Sequence, residues 1–366
     1  MEFLTNEFTF KSASGLCDIF AQSAAPADFG AVRGIVQIAH GMAEYSNRYA
    51  RFAMELCKKG FAVYINDHLG HGSSVANENE LGFFGDDGAN SLVEDMKQLT
   101  DIARQEYPNV PVFLFGHSMG SFLARKYTAK YGHLLDGVIY CGTSGPNPAV
   151  DIGILLANYL TKTDGMLYRS TFLDSMAFGS YNKKTAKNTK FDWLSRDEKE
   201  VQKYIDDKNC GFVFTVNGFK TLFSLLKEIS GKVWYNTVPT DLQILMISGD
   251  KDPVGEYGKG VTEVYKTLRK TGHTNTLLKL YPQARHELLN ELNRDEVTAD
   301  ILQWLEARLE TLEPKAAAPT AEDAGPEKNS EPKAAEEPAK TEEKEAAAAG
   351  KAPAEEAPEK AVENAQ

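Results

Sequence analysis

The feature that most constrains the fold of this chain is the alternation of short apolar segments with longer helical ones between residues 35 and 312. Each apolar segment is rich in β-branched or aromatic residues and is bounded by Gly, Pro or Asp, a pattern typical of buried strands. The predicted strands cover residues 35–40, 61–66, 112–115, 137–141, 243–248 and 276–281. The predicted helices cover residues 48–59, 89–106, 121–131, 257–270 and 295–312. Such an alternation predicts an α/β fold, with a mostly parallel sheet covered by helices on both faces.

One long interval interrupts this alternation. Residues 144–237 contain no strand pattern, although residues 152–160 and 212–229 carry helix-like patches of large apolar side chains. An insertion of this length between two strands is typical of a separate layer or a functional loop region. Near the N-terminus, residues 8–11 and 16–22 are predicted to form an antiparallel hairpin at the sheet edge. We therefore expect four segments, namely a first core part at residues 1–143, a helical cap at 144–237, a second core part at 238–313 and a tail at 314–366.

The tail is set apart by a sharp change of composition near Glu313. Residues 314–366 consist mainly of Ala, Pro, Glu and Lys, contain no aromatic side chain, and have Val362 as their only large aliphatic residue. Such a segment cannot bury enough apolar surface to offset the entropy lost on ordering, so we expect it to be disordered and solvated. The sequence indicates no partner for it.

The charge balance and the cysteines exclude several classes of partner and ligand. A formal net charge of −12 argues against nucleic acid, since phosphate binding needs a basic face, and it offers no basic patch for anionic lipid. The four cysteines, at positions 17, 57, 141 and 210, lack the spacing of metal ligands. We expect no signal peptide and no transmembrane segment, because there is neither a basic start nor an uncharged apolar run of about 18 residues. These features predict a cytoplasmic protein.

The strongest chemical signal is the motif Gly116-His117-Ser118-Met119-Gly120. It lies between a predicted strand and a predicted helix, where a sharp, strained turn holds the serine hydroxyl out from the backbone. Glycine is needed at both ends because a Cβ there would collide with the neighbouring strand and helix. The pattern alone occurs by chance in roughly one chain in ten of this length. Its position between strand and helix predicts Ser118 as a nucleophile.

A serine nucleophile needs a base, and the base needs a carboxylate that orients it. His286 follows the last predicted strand, at the edge where open α/β sheets collect their functional groups. Asp250 and Asp252 follow the preceding strand, which gives the order serine, acid, histidine of the α/β-hydrolases. Of the two, Asp252 is favoured because it lies further out and precedes a proline that fixes the loop. Asp250 is suited to a turn.

Two backbone N–H groups are expected to stabilise the oxyanion that forms during acyl transfer. One belongs to Met119, next to the nucleophile at the start of a helix. The other is assigned to Met42, in the loop after the strand at residues 35–40, where His40 is expected to bond to the backbone and shape the loop. The loop at residues 67–73 contains two histidines, but no third or fourth ligand has fitting spacing, so we predict no metal.

Three motifs and two single residues together resemble a known family. They are residues 40–49 (HGMAEYSNRY), residues 67–73 (DHLGHGS), residues 116–120 (GHSMG), Asp252 and His286. The set resembles the monoacylglycerol lipase and lysophospholipase branch of the α/β-hydrolases, over roughly residues 5–312. The resemblance implies an α/β-hydrolase fold with a helical cap, and an acyl-enzyme mechanism without a cofactor. It also implies a triad of Ser118, Asp252 and His286 and an oxyanion hole made by the N–H groups of Met42 and Met119.

Three departures from the family pattern leave the preference for a headgroup open. The family usually has arginine, histidine and glycine where this chain has Leu69, Tyr45 and Ser121. The predicted cap contains the motif FDWLSRD at residues 191–197, which indicates no substrate.

The combined prediction is a serine hydrolase that cleaves esters of monoacyl lipids, either monoacylglycerols or lysophospholipids. A small-molecule ester is the expected partner, and the apolar side chains of the predicted cap are suited to transient contact with a membrane surface. Alternatives on the same fold are a short-chain carboxylesterase, a thioesterase and an aminopeptidase, which differ in how cleavage depends on acyl-chain length. A non-catalytic binding protein is the alternative from another class, and labelling by a fluorophosphonate separates it from an enzyme.

Overall fold

In the computed structural model, which describes residues 2–312, eight segments form strands. They are β1 (Phe3–Lys11), β2 (Asp18–Pro26), β3 (Gly34–Ala39), β4 (Phe61–Asn66), β5 (Val112–His117), β6 (Gly137–Cys141), β7 (Ile244–Gly249) and β8 (Thr276–Tyr281). They form one sheet in the order β1-β2-β4-β3-β5-β6-β7-β8. The pairs β1–β2 and β2–β4 are antiparallel, and all other pairs are parallel. The predicted mostly parallel sheet is confirmed, and the edge hairpin is longer than expected.

Ten α-helices accompany the strands within the described residues. They are α1 (Ala50–Lys58), α2 (Gly88–Glu106), α3 (Met119–Tyr131), α4 (Val150–Thr163), α5 (Thr171–Phe178), α6 (Glu198–Asp206), α7 (Val216–Ser230), α8 (Lys232–Thr237), α9 (Lys259–Lys270) and α10 (Arg294–Thr311). Apolar residues of α2, α3 and α9 pack on one face of the sheet, and those of α1 and α10 pack on the other. Because both faces are covered, every residue of β3 to β7 is buried. This burial explains why these strands are continuous apolar runs instead of alternating ones.

The loops that carry the predicted site residues follow the carboxyl ends of the parallel strands, at one edge of the sheet. The chain moves from β3 outward to β4 and then returns to β5 on the other side of β3. Such a reversal leaves a crevice between the loops that follow the two strands, which is where open α/β sheets place their sites. The nucleophile motif follows β5, and the loop with Met42 follows β3.

The helices α4 to α8 lie in residues 144–237, which we call the insertion. The insertion leaves the sheet after β6 and returns to it at β7, and these strands are parallel neighbours. Arg125 of α3 is fully buried beneath it and donates to the carbonyl oxygens of Ser144 (2.9 Å) and Ile229 (2.6 Å). One buried guanidinium therefore holds both ends of the insertion to the core.

The structure does not test two of the sequence predictions. The predicted tail, residues 314–366, falls outside the described residues, and the division of the chain into core parts and cap stays a prediction. No helix within residues 2–312 has both the length and the apolar character to cross a bilayer.

Candidate active site

Ser118 occupies a strained turn between β5 and α3. Its φ of 53° and ψ of −122° place a non-glycine residue in a region that L-amino acids seldom adopt. Its main-chain N–H donates to the carbonyl of Cys141 at the end of β6 (2.9 Å), which ties the turn to the neighbouring strand. The serine therefore projects at the start of a helix whose first N–H groups have no partner within the helix.

The two glycines of the motif are required by close packing. A Cβ on Gly120 would lie 2.0 Å from the carbonyl oxygen of Ala39 at the end of β3. A Cβ on Gly116 would lie 2.4 Å from the carbonyl oxygen of Gly120. Neither contact is possible for a real side chain, so the motif brings α3 against the sheet at a distance that only glycine allows.

His286 and Asp252 come together at the ends of β8 and β7. The Nδ1 atom of His286 lies 3.0 Å from Oδ2 of Asp252, and both side chains are almost completely buried. The other oxygen of Asp252 accepts a bond from the N–H of Val254 (2.9 Å), which fixes the carboxylate. Since Nδ1 faces the carboxylate, Nε2 is the ring nitrogen left to exchange a proton with a substrate or a nucleophile.

Asp250, the competing acid, serves a different part of the loop. Its carboxylate accepts a bond from the N–H of Gln283 (2.7 Å) and lies 3.3 Å from the ammonium of Lys251. It is partly exposed and has no contact with the ring of His286 among the described hydrogen bonds. The geometry thus supports Asp252 as the partner of the histidine and leaves Asp250 in a turn.

The loop with Met42 lies directly beside Ser118. A Cβ on Gly41 would lie 3.2 Å from the Cβ of Ser118, so the two backbones approach closely. Around Met42, the N–H of Gly41 donates to Glu44 (2.5 Å) and that of Ala43 to His71 (3.2 Å). The second bond fixes the peptide plane after Met42, and Nδ1 of His40 lies 2.8 Å from the carbonyl oxygen of Gly41 in the plane before it.

The histidines at positions 40, 68 and 71 form a cluster of tilted and edge-on rings behind this loop. The rings of His40 and His68 are 4.2 Å apart, and Nε2 of His40 accepts a bond from the N–H of His68 (2.9 Å). Burial lowers the pKa of His71 to about 3, so the ring is neutral and accepts from Ala43. No group of three or more His, Cys, Asp or Glu residues between residues 2 and 312 is arranged to bind a metal. The cluster shapes the loop, as the sequence suggested for His40.

The structure reveals a buried charge network that the sequence analysis missed. The carboxylates of Glu44 and Glu287 flank Arg48, which donates twice to Glu287 at 2.7 Å and once to Glu44 at 2.5 Å. Burial alone would raise the pKa of Glu44, but Arg48 and His117 hold it well below its usual range. The one local signal was an acid and a base four residues apart in the motif at residues 40–49.

His117 connects this network to His286. Its Nδ1 atom lies 3.2 Å from Oε1 of Glu44 and 3.1 Å from the hydroxyl of Tyr49. Burial opposes a charge on His117, but the contact with Glu44 raises its pKa above the ordinary value. Its ring centroid lies 4.8 Å from that of His286. An imidazole whose charged form is favoured by Glu44 is thus held against the ring of the predicted base.

A mostly apolar cavity of about 300 Å³ lies between this constellation and the insertion. Its wall includes Ser118 and His286 from the core, and the ion pair of Asp174 with Lys190 (3.4 Å) from the insertion. Its large apolar side chains include Phe122, Phe178, Trp193, Phe212, Leu222 and Phe223. The volume is at the lower end of the roughly 300–1,000 Å³ typical of small-molecule sites.

The apolar residues of the insertion divide into three groups. Some line the cavity, and others such as Phe214 and Phe219 are fully buried in the core. A third group is exposed on the outer face of α4, with Ile152 at 59%, Leu155 at 69% and Tyr159 at 64% exposure. The spacing of three and four residues puts this last group on one side of the helix.

Comparison with known proteins agrees with this geometry. The family model described as "Serine aminopeptidase, S33" matches residues 30–293. The monoacylglycerol lipase of Mycolicibacterium smegmatis is 28% identical over 278 residues, which are 76% of this chain and 89% of that protein. The human monoglyceride lipase is 27% identical over 292 residues, which are 77% of this chain and 85% of that protein.

A solved structure shares both the fold and a third of the sequence. It is the thermostable carboxyl esterase from Bacillus coagulans in complex with glycerol, with a TM-score of 0.79 and 33% identity. The alignment covers 83% of this chain and 99% of that one. The similarity therefore extends across the sheet, the loops that follow its strands and the insertion.

Proposed function

Since this chain belongs to the family of serine aminopeptidases S33, which has the α/β-hydrolase fold, we propose that it cleaves carboxylic esters of monoacyl lipids. As a member of this family it is a serine hydrolase. The observation that carries the choice of substrate is the cavity: its wall holds a serine and a histidine beside mostly apolar side chains. An acyl chain would fill such a cavity, with each buried CH₂ contributing about 0.8 kcal/mol.

In the proposed mechanism, Ser118 attacks the ester carbonyl while His286 takes its proton. The N–H groups of Met42 and Met119 stabilise the oxyanion, and the alcohol leaves with the proton from His286. Water then hydrolyses the acyl-enzyme by the same steps, which releases the fatty acid. Asp252 holds the imidazole in the required tautomer and stabilises its charged form. No cofactor enters any step.

A short-chain carboxylesterase is the second candidate. It is favoured by the 33% identity to a carboxyl esterase and by a cavity at the small end of its class. The two candidates differ in one measurable property, the dependence of kcat/KM on acyl-chain length.

We expect kcat/KM for p-nitrophenyl esters to rise from acetyl to about decanoyl, by less than about tenfold per two methylenes, because burial of the chain is incomplete. Leu226 lines the cavity from α7, so Leu226→Asn should flatten this slope and spare the acetyl ester. Steady-state kinetics over the ester series measures both effects. Each ester is used at concentrations below the one at which it aggregates.

The matched control is Val233→Asn. Val233 is an apolar residue of the insertion that is 75% exposed and does not line the cavity, so its replacement should leave the slope unchanged. If the parent enzyme prefers acetyl to octanoyl esters, the monoacyl-lipid proposal is wrong and the short-chain esterase takes its place.

We further propose that the insertion is the cap of this enzyme and that it touches lipid surfaces transiently. The support is the exposed apolar face of α4, formed by Ile152, Leu155 and Tyr159. Such a face contributes free energy when it enters the boundary between headgroups and acyl chains. The cytoplasmic location stays a prediction, and the four free cysteines agree with a reducing compartment.

The double variant Ile152→Glu/Leu155→Glu should bind neutral phosphatidylcholine vesicles at least about tenfold more weakly than the parent, because two apolar contacts are replaced by charges. Cosedimentation with vesicles measures the difference. Val233→Glu adds a charge elsewhere on the insertion and should bind like the parent. Equal binding of the double variant and the parent would exclude α4 as the contact surface.

A further inference from the structure

The motif at residues 191–197, to which the sequence assigned no role, lies against the loop that carries His286. Polar contacts join the two segments along their length. They include Glu287 N to Leu194 O at 2.7 Å, Ser195 Oγ to Asn290 O at 2.8 Å, and Arg285 Nη1 to Asp192 O at 2.6 Å and to Ser195 O at 2.9 Å. The contacts begin at residue 285 and continue past residue 287, so they surround the predicted base on both sides.

Glu291 strengthens this junction from within. It is fully buried, and its Oε1 atom accepts bonds from the N–H groups of Arg285 (2.8 Å) and Arg196 (3.1 Å). Its Oε2 atom accepts from Nε of Arg196 at 2.8 Å. One carboxylate therefore joins the insertion to the backbone N–H of Arg285, the residue directly before His286. Charge-assisted bonds of this kind are stronger than neutral ones.

Trp193 extends the contact to the imidazole itself. Its ring centroid lies 5.0 Å from that of His286, at an angle of 40°, and the side chain also lines the cavity. Asp252 holds the Nδ1 edge of the same ring, and His117 lies against it at 4.8 Å. Removing the indole would release one of the three neighbours that restrict the orientation of the imidazole.

The same part of the insertion reaches the loop of the predicted oxyanion hole. The hydroxyl of Tyr204 donates to the carbonyl of Ala43 at 3.0 Å, and the N–H of Gly211 donates to the same oxygen at 2.9 Å. Ala43 directly follows Met42, whose N–H is proposed to bind the oxyanion. Both partners of the nucleophile are therefore in contact with one continuous stretch of chain.

We propose that residues 191–211 are a fixed support for the catalytic loops, and that Trp193 and Arg196 within them are positioning residues for His286. A moving lid would have to separate from the site, whereas this stretch is joined by hydrogen bonds to the two loops that must stay in place. The inference rests on the proposed ester hydrolysis. It assigns to residues 191–211 a support of the catalytic loops in addition to their place in the cavity wall, whereas, among the described residues, helices α4, α5 and α7 border the cavity without such contacts to the loop of His286.

The test uses p-nitrophenyl acetate, because an acetyl group is too short to need the acyl cavity. We expect Trp193→Ala to lower kcat for this ester by about 10- to 100-fold with KM within about twofold, since small displacements of a catalytic group cost rate more than binding. Trp193→Phe keeps an aromatic ring against the imidazole and should recover most of the rate. Phe172→Ala is the control, because Phe172 is an aromatic residue of the insertion that is 62% exposed and lies outside the cavity wall.

A second variant tests the junction without changing the cavity wall. Arg196→Ala removes the side-chain bond to Glu291 and should lower kcat for the acetyl ester by about 5- to 30-fold. The control, Lys227→Ala, removes an ion pair to Asp151 (2.6 Å) within the insertion and should leave kcat unchanged. If residues 191–211 were a lid, loosening them would leave kcat unchanged or raise it.

The outcomes separate this proposal from the proposed function. A parent that neither turns over the acetyl ester nor reacts with a fluorophosphonate contradicts the ester hydrolase itself. If the parent is active and the Trp193→Ala and Arg196→Ala variants both keep kcat within threefold of it, the proposal that residues 191–211 support the catalytic loops is overturned. If Trp193→Ala raises KM without lowering kcat, Trp193 serves only to line the cavity. This result also overturns the positioning role. Thermal melting of each variant identifies any that fail to fold. If Trp193→Ala does not fold, Arg196→Ala decides the question, and if Arg196→Ala does not fold, the comparison of Trp193→Ala with Trp193→Phe decides it.

Discussion

Replacing Ser118 with alanine should lower kcat for any ester substrate by a factor on the order of 10³ to 10⁶, and His286→Ala should do the same. The two residues act as one unit, because the serine is a nucleophile only when the imidazole takes its proton. The double variant should therefore be hardly slower than either single one. Steady-state kinetics with p-nitrophenyl esters measures the loss, and a fluorophosphonate should label the parent but not Ser118→Ala.

Ser121→Ala is the matched control for this experiment. The Ser121 hydroxyl donates to the carbonyl of Ser118 (2.6 Å), one turn further along α3, and has no proposed role in the chemistry. Its removal should change kcat by less than about threefold, in line with the modest effect of losing one hydrogen bond. If Ser118→Ala kept activity within tenfold of the parent, the nucleophile would have to be sought elsewhere.

Asp252→Asn should lower kcat by about 10⁴, since an amide at this position favours the wrong tautomer of the imidazole. Asp252 is fully buried and contacts Nδ1 of His286, so no water can replace its charge. Asp250→Asn is the paired control two residues away. It should keep nearly full activity, because within residues 2–312 the Asp250 carboxylate accepts a bond from the N–H of Gln283 and lies beside Lys251, away from the ring of His286.

The comparison of these two variants decides the assignment of the acid. If Asp250→Asn loses activity while Asp252→Asn stays fully active, Asp250 is the acid that orients His286. Circular dichroism of both proteins shows whether a loss of activity comes from chemistry or from unfolding.

The sequence predicted the elements of the core because their signals are local. The strand, the motif and the helix around Ser118 all lie within residues 112–131, and strands 61–66, 137–141 and 276–281 have the predicted bounds. The assignment of His286 as base and Asp252 as its acid, which stays a proposal, followed from chain order and from their place after strands. These inferences need only neighbouring residues and a rule about parallel sheets.

The contacts that surround the base could not be predicted in this way. Arg48 bonds to Glu287 across 239 positions, and Arg196 bonds to Glu291 across 95. No periodic pattern records such pairs, since each partner taken alone has the character of an ordinary surface charge. The contact of the Trp193 ring with that of His286 is equally non-local, and it depends on how the insertion folds back over the sheet.

Two points of the insertion have a consequence for how such enzymes diversify. The carbonyl oxygens of Ser144 and Ile229 both accept bonds from the guanidinium of Arg125, so these two positions lie close together beside the core. A foreign segment joined there would close a loop between neighbouring positions, and its chain-closure entropy would depend only weakly on its length. Under the proposed function, the roof over the cavity could then be exchanged by recombination as one module while the sheet and the loops with Ser118, Asp252 and His286 stay intact. Under the proposed support, a transplanted module would have to bring its own counterpart of residues 191–211 or retain this one.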